Sequence, residues 1–328
     1  MVGVGAFGRN HARIYKQLEL QGEAVRLLGV VDPNLNRADS AGREFGCRSF
    51  GSLEQLVTTH SEVQAASVTV PTVHHLDVAR TLMEAGVDAL IEKPLASSLE
   101  EADQLIALAK VKKRVAQVGH LERFNPAVRA TIPLLTKPMF FEVHRLSAFT
   151  PRALDVDVVL DLMIHDLDIV LAFVDSPVQE VRAVGLAILS GKTDIANVRI
   201  EFASGCVANF TASRVSTERI RKLRFFQPRQ YISIDYSRQD VLVFTVGDDR
   251  ESQMMPSVNP HIGMMKPPIV GEEPLHAELK SFLDAVRTRA TPVVPLADGR
   301  RALALALEIV DRIKQHGDRI DLGQLSSC

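Results

Sequence analysis

In the first third of the chain, apolar residues come in short, nearly continuous runs, and each run stops at a polar or turn residue. Residues 25–31 (VRLLGVV) end at Asp32, 65–70 at Pro71, 89–91 at Glu92-Lys93-Pro94, and 115–118 at Gly119-His120. Runs of this length without alternation predict strands buried on both faces. Between them, apolar positions recur with the helical period over 10–20, 76–85 and 99–110. The second helix is closed by Gly86, and the third is opened by Ser97 or Ser98 as its cap. Strands alternating with helices predict an α/β unit built on a doubly wound parallel sheet. All the runs end on one edge of that sheet, the carboxyl edge, where open α/β sheets bind ligands.

Beyond Phe124 the pattern changes. A helix at 126–135 precedes a segment at 139–147 and a long apolar helix at 156–174. Strand-like runs follow at 181–189, 197–202, 207–212, 223–226, 231–236 and 241–246, several of them alternating polar with apolar residues, as VANFTAS does at 207–213. Alternation of that kind predicts a large, mainly antiparallel, open sheet with one face covered by a helix. Residues 247–274, rich in Met, Pro and Gly, are expected to be irregular, and helices at 275–288 and 298–315 finish the chain. A length of 328 residues suits two domains. The expected boundary divides 1–120 from an α+β domain at 121–328, with the C-terminal helices (275–315) packing back on the first domain.

Composition removes several function classes. Hydrophobic residues make up 46% and charged residues 24%, and the net charge is -2, so neither nucleic acid nor an anionic membrane is an expected partner. The most apolar stretch carries Asp157, Asp161, His165, Asp166 and Asp168, which argues against a membrane span. Cys47, Cys206 and Cys328 are too scattered for a disulfide framework or a zinc site, and point to a reducing, cytoplasmic location. Histidines with metal-ligand spacing are lacking apart from the adjacent His74-His75, so no metal is expected.

Gly3, Gly5 and Gly8 spell G-x-G-x-x-G, around Ala6 and Phe7, at the opening of the first predicted helix. Asp32 ends the next predicted strand, where a carboxylate accepts hydrogen bonds from both adenosine ribose hydroxyls and repels a 2'-phosphate. NAD is therefore expected over NADP, with Arg37 softening the preference; taken alone, Asp32 also reads as a turn residue. Only Met1 and Val2 precede the fingerprint, where five or six apolar residues normally form the central strand. The expectation is a first strand clipped by a chain that begins several residues late, with no room for a signal peptide.

Glu92-Lys93-Pro94 makes the pattern specific. A strand ending in E-K-P after a dinucleotide fingerprint and before an antiparallel-sheet domain resembles the Gfo/Idh/MocA family of NAD(P)-dependent sugar and cyclitol oxidoreductases. Thr69-Val70-Pro71 with His75, Gly119-His120, Arg123-Phe124-Asn125-Pro126, Asp161-x-x-x-His165 with Asp168, and Asp298-Gly299 extend the resemblance along nearly the whole chain. It implies an N-terminal Rossmann domain, with Pro71, His75, Glu92 and Lys93 beside the cofactor and His75 either contacting it or capping the following helix. It also implies catalysis by Lys93, His165 and Asp161, and a homodimer or homotetramer joined through the open sheet face.

Oxidising a sugar alcohol removes a hydride to the nicotinamide and a proton to a base. Lys93 stands where its charge would stabilise the developing alkoxide; outside the motif it would read as a surface lysine paired with Glu92. Asp161, His165 and Asp168, at i, i+4 and i+7, share one face of an apolar helix, and His165 is the natural general base, with either carboxylate orienting it. A core histidine satisfied by a carboxylate is the alternative. Asp166 is expected at the surface. The stretch GHLERFNP and the D-x-x-x-H helix most resemble the branch that oxidises the 3-hydroxyl of UDP-N-acetylhexosamines. Arg123, Arg152, Arg214 and Arg219 are candidates for a diphosphate, and Asn125 for further substrate contact. A myo-inositol or simple aldose dehydrogenase, and a non-catalytic dinucleotide-sensing regulator, are the competing readings.

Overall fold

The computed structural model describes residues 1–150, 156–247 and 262–320. The chain forms two compact units, Met1–Phe124 with Glu272–Leu303, and Asn125–Gly271 with Ala304–Cys328.

The first unit begins with α1 (Ala6–Leu20), β1 (Gly29–Val31), α2 (Leu35–Phe45), β2 (Arg48–Phe50), α3 (Leu53–Thr59) and β3 (Ala65–Val68). It continues with α4 (His75–Glu84), β4 (Asp88–Glu92), α5 (Leu99–Lys112) and β5 (Ala116–Gly119). The strands pair in parallel, β1 with β2 and β3 with β4 and β5. Val2 joins the two groups, bridging Val31 on one side and Val68 on the other. The Gly3 N–H donates to Val31 O at 2.8 Å, the Val31 N–H to Met1 O at 2.8 Å and the Thr69 N–H to Val2 O at 2.9 Å, so Met1, Val2 and Gly3 serve as the central rung. One face of the sheet packs Val4, Val30 and Leu90 against Ile14 and Leu18 of α1 and against Leu279 and Phe282. The other packs Val2, Val31 and Val68 against Leu53, Leu56 and Leu82. Burial on both sides is why these strands read as continuous apolar runs. The caps are local: Ser98 accepts the Glu101 N–H, while Asn34 and Ser52 open α2 and α3 in the same way.

The second unit opens with α6 (Pro126–Thr131) and β6 (Phe140–Leu146). The helix expected over 156–174 is two pieces: a π turn at Val159–Met163, in which the Ile164 N–H reaches Val159 O, followed by α7 (Ile164–Phe173). Then come β7 (Val178–Leu186), β8 (Ile195–Phe202), β9 (Val207–Ser213), β10 (Ile220–Gln227), β11 (Gln230–Asp235), β12 (Asp240–Val246) and β13 (Ile262–Met265). The eight strands lie in the order β13-β12-β11-β10-β6-β9-β8-β7, antiparallel except for β6 with β9. Ala196, Val198, Ile200 and Phe202 of β8 are all buried, and Phe173 of α7 meets Phe225 of β10 edge-on at 5.9 Å. Phe140, Phe226, Tyr231 and Phe244 form a ladder of ring contacts across four strands. The strand β13 stands inside the segment expected to be irregular, because its backbone pairs with β12 even though Ile262 and Met264 are exposed. The last helices are α8 (Pro274–Thr288), in the first unit, and α9 (Leu296–Ile320).

Candidate active site

The glycine fingerprint folds as a tight turn into a helix. Gly3 has φ +84°, and a Cβ on Gly8 would fall 2.0 Å from Gly3 O, so the turn packs directly on the helix. Above Gly5 a Cβ would meet nothing within 4 Å. Gly5 is the N-cap of α1, no side chain caps it, and the first turn, with Ala6 and Phe7 exposed, carries no acid. Open space over uncapped backbone N–H groups at the positive end of a helix suits a pyrophosphate. Thr69 Oγ1 holds the turn from the next strand end, donating to Gly3 O at 2.6 Å.

Asp32 directly follows β1 and is 3% exposed. Its Oδ2 accepts the Val4 N–H at 3.1 Å and its Oδ1 accepts the Asn34 N–H at 3.0 Å. The half-exposed Arg37 guanidinium reaches Oδ2 at 3.4 Å. The acid therefore also braces the fingerprint. The chemistry of this set fits a dinucleotide: a glycine cradle, an uncapped helix end and a strand-end carboxylate.

His75 is a strut. Its Nδ1 lies 3.0 Å from Pro94 O and its Nε2 3.0 Å from Val70 O, tying the end of β3 to the E-K-P turn. Burial lowers its pKa below the ordinary 6.5. It does not cap α4, correcting one of its expected roles; the ring is spent on carbonyls that face the interior. Pro71 is exposed beside it. Glu92, the last residue of β4, is buried, and its Oε2 accepts the Lys93 N–H at 3.2 Å. Lys93 follows, half-buried, at the carboxyl edge of the sheet. Arg123 pairs with Asp298 at 3.2 Å.

In the second unit Asp161 lies in the π turn and His165 in the first turn of α7, both half-buried, while Asp168 is buried. Asp166 is the clear correction. Expected at the surface, it is 1% exposed and held by Arg145 of β6, with Nε–Oδ2 at 2.6 Å. A helix covering a sheet turns that side inward, and an arginine from the sheet supplies the charge that the apolar context demands. Arg214 is also spent internally: it is buried, donates to Val156 O and lies 3.7 Å from Asp194. Arg219 is exposed, and Arg152 lies outside the described residues. Asn125 is buried too, its Oδ1 capping α6 through the Ala127 N–H and its Nδ2 donating to Tyr236 O at 3.1 Å. Sequence reading missed Arg145, since nothing in an alternating strand marks which arginine turns inward. It also missed His11, whose position just after the fingerprint was the available signal.

Comparison with known proteins follows the same division. Residues 1–120 match the model of an oxidoreductase family with an NAD-binding Rossmann fold, and residues 136–232 match the GFO/IDH/MocA C-terminal domain. The chain is 36% identical over 310 residues to UDP-N-acetylglucosamine 3-dehydrogenase of Acidithiobacillus ferrooxidans, covering 94% of this chain and 95% of that one. A solved structure of that enzyme superposes with a TM-score of 0.86 at 35% identity, over 96% of both chains. The scyllo-inositol 2-dehydrogenase (NAD(+)) of Bacillus subtilis is 28% identical over 231 residues, 66% of this chain and 67% of its own. With a parallel-sheet dinucleotide unit, a mainly antiparallel second unit and full-length similarity to a named dehydrogenase, the chain belongs to the Gfo/Idh/MocA family of oxidoreductases.

Proposed function

We propose that the chain is an NAD-dependent dehydrogenase that oxidises the 3-hydroxyl of UDP-N-acetylglucosamine to the 3-oxo sugar. The observation that carries this reading is 36% identity across 94% of the chain to an enzyme named for that reaction. Bound at the fingerprint, NAD supplies the hydride acceptor. Lys93 donates a hydrogen bond to the reacting oxygen and offsets its negative charge as the proton departs. His165 takes that proton, and Asp161 orients the imidazole. Asp32 favours NAD over NADP through the ribose hydroxyls. Arg123, held by Asp298, is the described arginine offered to the diphosphate, whereas the buried amide of Asn125 serves the fold. The second reading, an inositol dehydrogenase, draws support from the 28% identical relative.

The test is absorbance at roughly 340 nm, where the reduced nicotinamide absorbs, on mixing the protein with NAD and UDP-N-acetylglucosamine, with scyllo- and myo-inositol in parallel. A rise with the nucleotide sugar alone supports the reading, and a rise with an inositol alone replaces it. Lys93→Met and His165→Asn should each cut turnover by ~10²–10⁴-fold while NADH still binds. Full turnover in Lys93→Met would defeat the assigned chemistry.

A further inference from the structure

His11 follows the glycine fingerprint by three residues and is completely buried on α1. Its Nε2 lies 3.2 Å from Glu92 Oε1, and its ring makes a T-shaped contact with Phe7, centroids 5.0 Å apart. The other oxygen of Glu92 accepts the Lys93 N–H. Across the β4–β5 register Glu92 faces Gly119, where a Cβ would fall 2.5 Å from Glu92 Oε1. A glycine opposite a buried glutamate makes the room in which that carboxylate turns toward α1. Glu278 of α8 is a third member, fully buried, its carboxyl pushed well above the ordinary 4.5 by burial and by the charge of Glu92. Among the described residues, neither ring nitrogen of His11, nor Glu92 Oε1, nor either oxygen of Glu278 has a hydrogen-bond partner of good geometry. Polar groups left this poorly satisfied inside an apolar core cost stability. An aliphatic residue at position 11 would avoid that cost, so the histidine needs another reason.

We propose that His11 positions Lys93 by holding Glu92, so that the cofactor helix and the E-K-P strand end move as one unit. The carboxylate is shared: one oxygen faces the imidazole, and the other fixes the backbone of the lysine. Loss of the imidazole frees Glu92 to swing toward solvent and takes the lysine backbone with it. Displacement of a reacting group by about 1 Å is enough to cost ~10²-fold in rate. Glu278, held neutral, is tolerated behind Glu92 without a second buried negative charge. The inference rests on the reading of Lys93 as the group that binds the reacting oxygen.

The experiment compares wild type with His11→Leu, His11→Gln, His11→Asn, Lys93→Met and the His11→Leu/Lys93→Met double variant. It measures kcat and KM with UDP-N-acetylglucosamine, melting temperature, and NADH binding from the cofactor's own fluorescence, which the absence of tryptophan leaves clear. His11→Leu should lower kcat at least ~10-fold, with KM and NADH affinity changed by less than about threefold, a small part of that loss. His11→Gln, whose amide Nε2 reaches the same place beside Glu92 Oε1, should recover most of the loss; His11→Asn is too short and should not. Added to Lys93→Met, the leucine should cost nothing more, because the two act in series. A kcat within about twofold of wild type in His11→Leu, or an undiminished loss in the double variant, would overturn the proposal while leaving Lys93 as the catalytic residue. Full turnover in Lys93→Met would overturn both readings. Should His11→Leu fail to fold, the Gln and Asn pair decides, equal turnover counting against the proposal.

Discussion

Arg145 and Asp166 meet as a buried fork, Nε to Oδ2 at 2.6 Å and Nη2 to Oδ1 at 3.0 Å, with the guanidinium carbon 5.2 Å from the centre of the Tyr236 ring. The fork ties β6 to α7 immediately beside His165. Removing one partner of such a pair strands a charge, at a cost of about 3–5 kcal/mol. Arg145→Met should therefore lower the unfolding free energy by that amount, read as a lower urea midpoint with an unchanged slope. Replacing both residues with apolar ones should recover much of it. A shift below about 1 kcal/mol would mean that water reaches Asp166.

Asp32 braces the fingerprint through the Val4 N–H, and on the proposed reading it also selects NAD; two readouts of one substitution separate the roles. Asp32→Ala removes the acceptor for the ribose hydroxyls, removes the repulsion of a 2'-phosphate, and frees Arg37 to bind that phosphate. The ratio of kcat/KM for NAD over NADP should fall by at least about tenfold, the equivalent of one charge-assisted hydrogen bond. Melting temperature should fall as well, because the Val4 N–H loses its acceptor. An unchanged ratio with a lower melting temperature would leave Asp32 as a brace alone.

Glu278 makes stability depend on pH in a defined direction. Burial, with the charge of Glu92 adding to it, raises its folded pKa well above the ordinary 4.5. The folded chain thus keeps a proton that the unfolded chain gives up once the pH passes 4.5, and stability falls as pH rises above that value. Glu92 and Tyr15 are the titratable groups that couple to it. Glu278→Gln has no proton to lose. Its melting temperature should match wild type near the ordinary carboxyl pKa and exceed it increasingly toward alkaline pH; a pH-independent difference would count against a neutral acid there.

Asp194 works in the opposite direction. Burial alone would raise its pKa, but the Ser190 hydroxyl and the N–H groups of Ser190, Leu189 and Ile188 outweigh it and hold the carboxyl at about 2, below the ordinary 3.8. Its contribution is present above 3.8 and is lost as pH falls through about 2. Asp194→Asn sets an amide against three N–H donors and should cost about 1–3 kcal/mol at neutral pH. Denaturation between those two pH values should also become flatter than in wild type. Equal acid sensitivity in the two proteins would assign the acid limb to other carboxylates.

The parts of the fold legible in the sequence are those where one local pattern dominates. The run ending at Glu92 became β4 because both faces of that strand are buried, and the alternation at 207–213 became β9 for the complementary reason. The three residues of β2 carried no such pattern, being only partly buried at the sheet edge. For the candidate site, the glycine turn could be read because Gly3 takes a left-handed φ and Gly8 packs against Gly3 O, whereas E-K-P was legible only as a motif shared with a known family. Asp166 could not, since its partner lies on another strand and pairing across the fold leaves no periodic trace. Glu278 was equally hidden: at its place on an amphipathic helix, a glutamate normally reads as solvated.

The π turn at Val159–Met163 makes the azimuth of Asp161 relative to α7 a matter of chain length rather than of side-chain identity. An α-helix advances by about 100° per residue, so one residue accommodated in a wide turn re-phases everything before it by roughly that angle. Deleting Leu162 would restore α spacing and carry Asp161 and the residues before it around the helix axis, with neither the acid nor the histidine changed. Among related chains, a length difference of one residue here would alter the geometry of this pair more than a conservative substitution at either position.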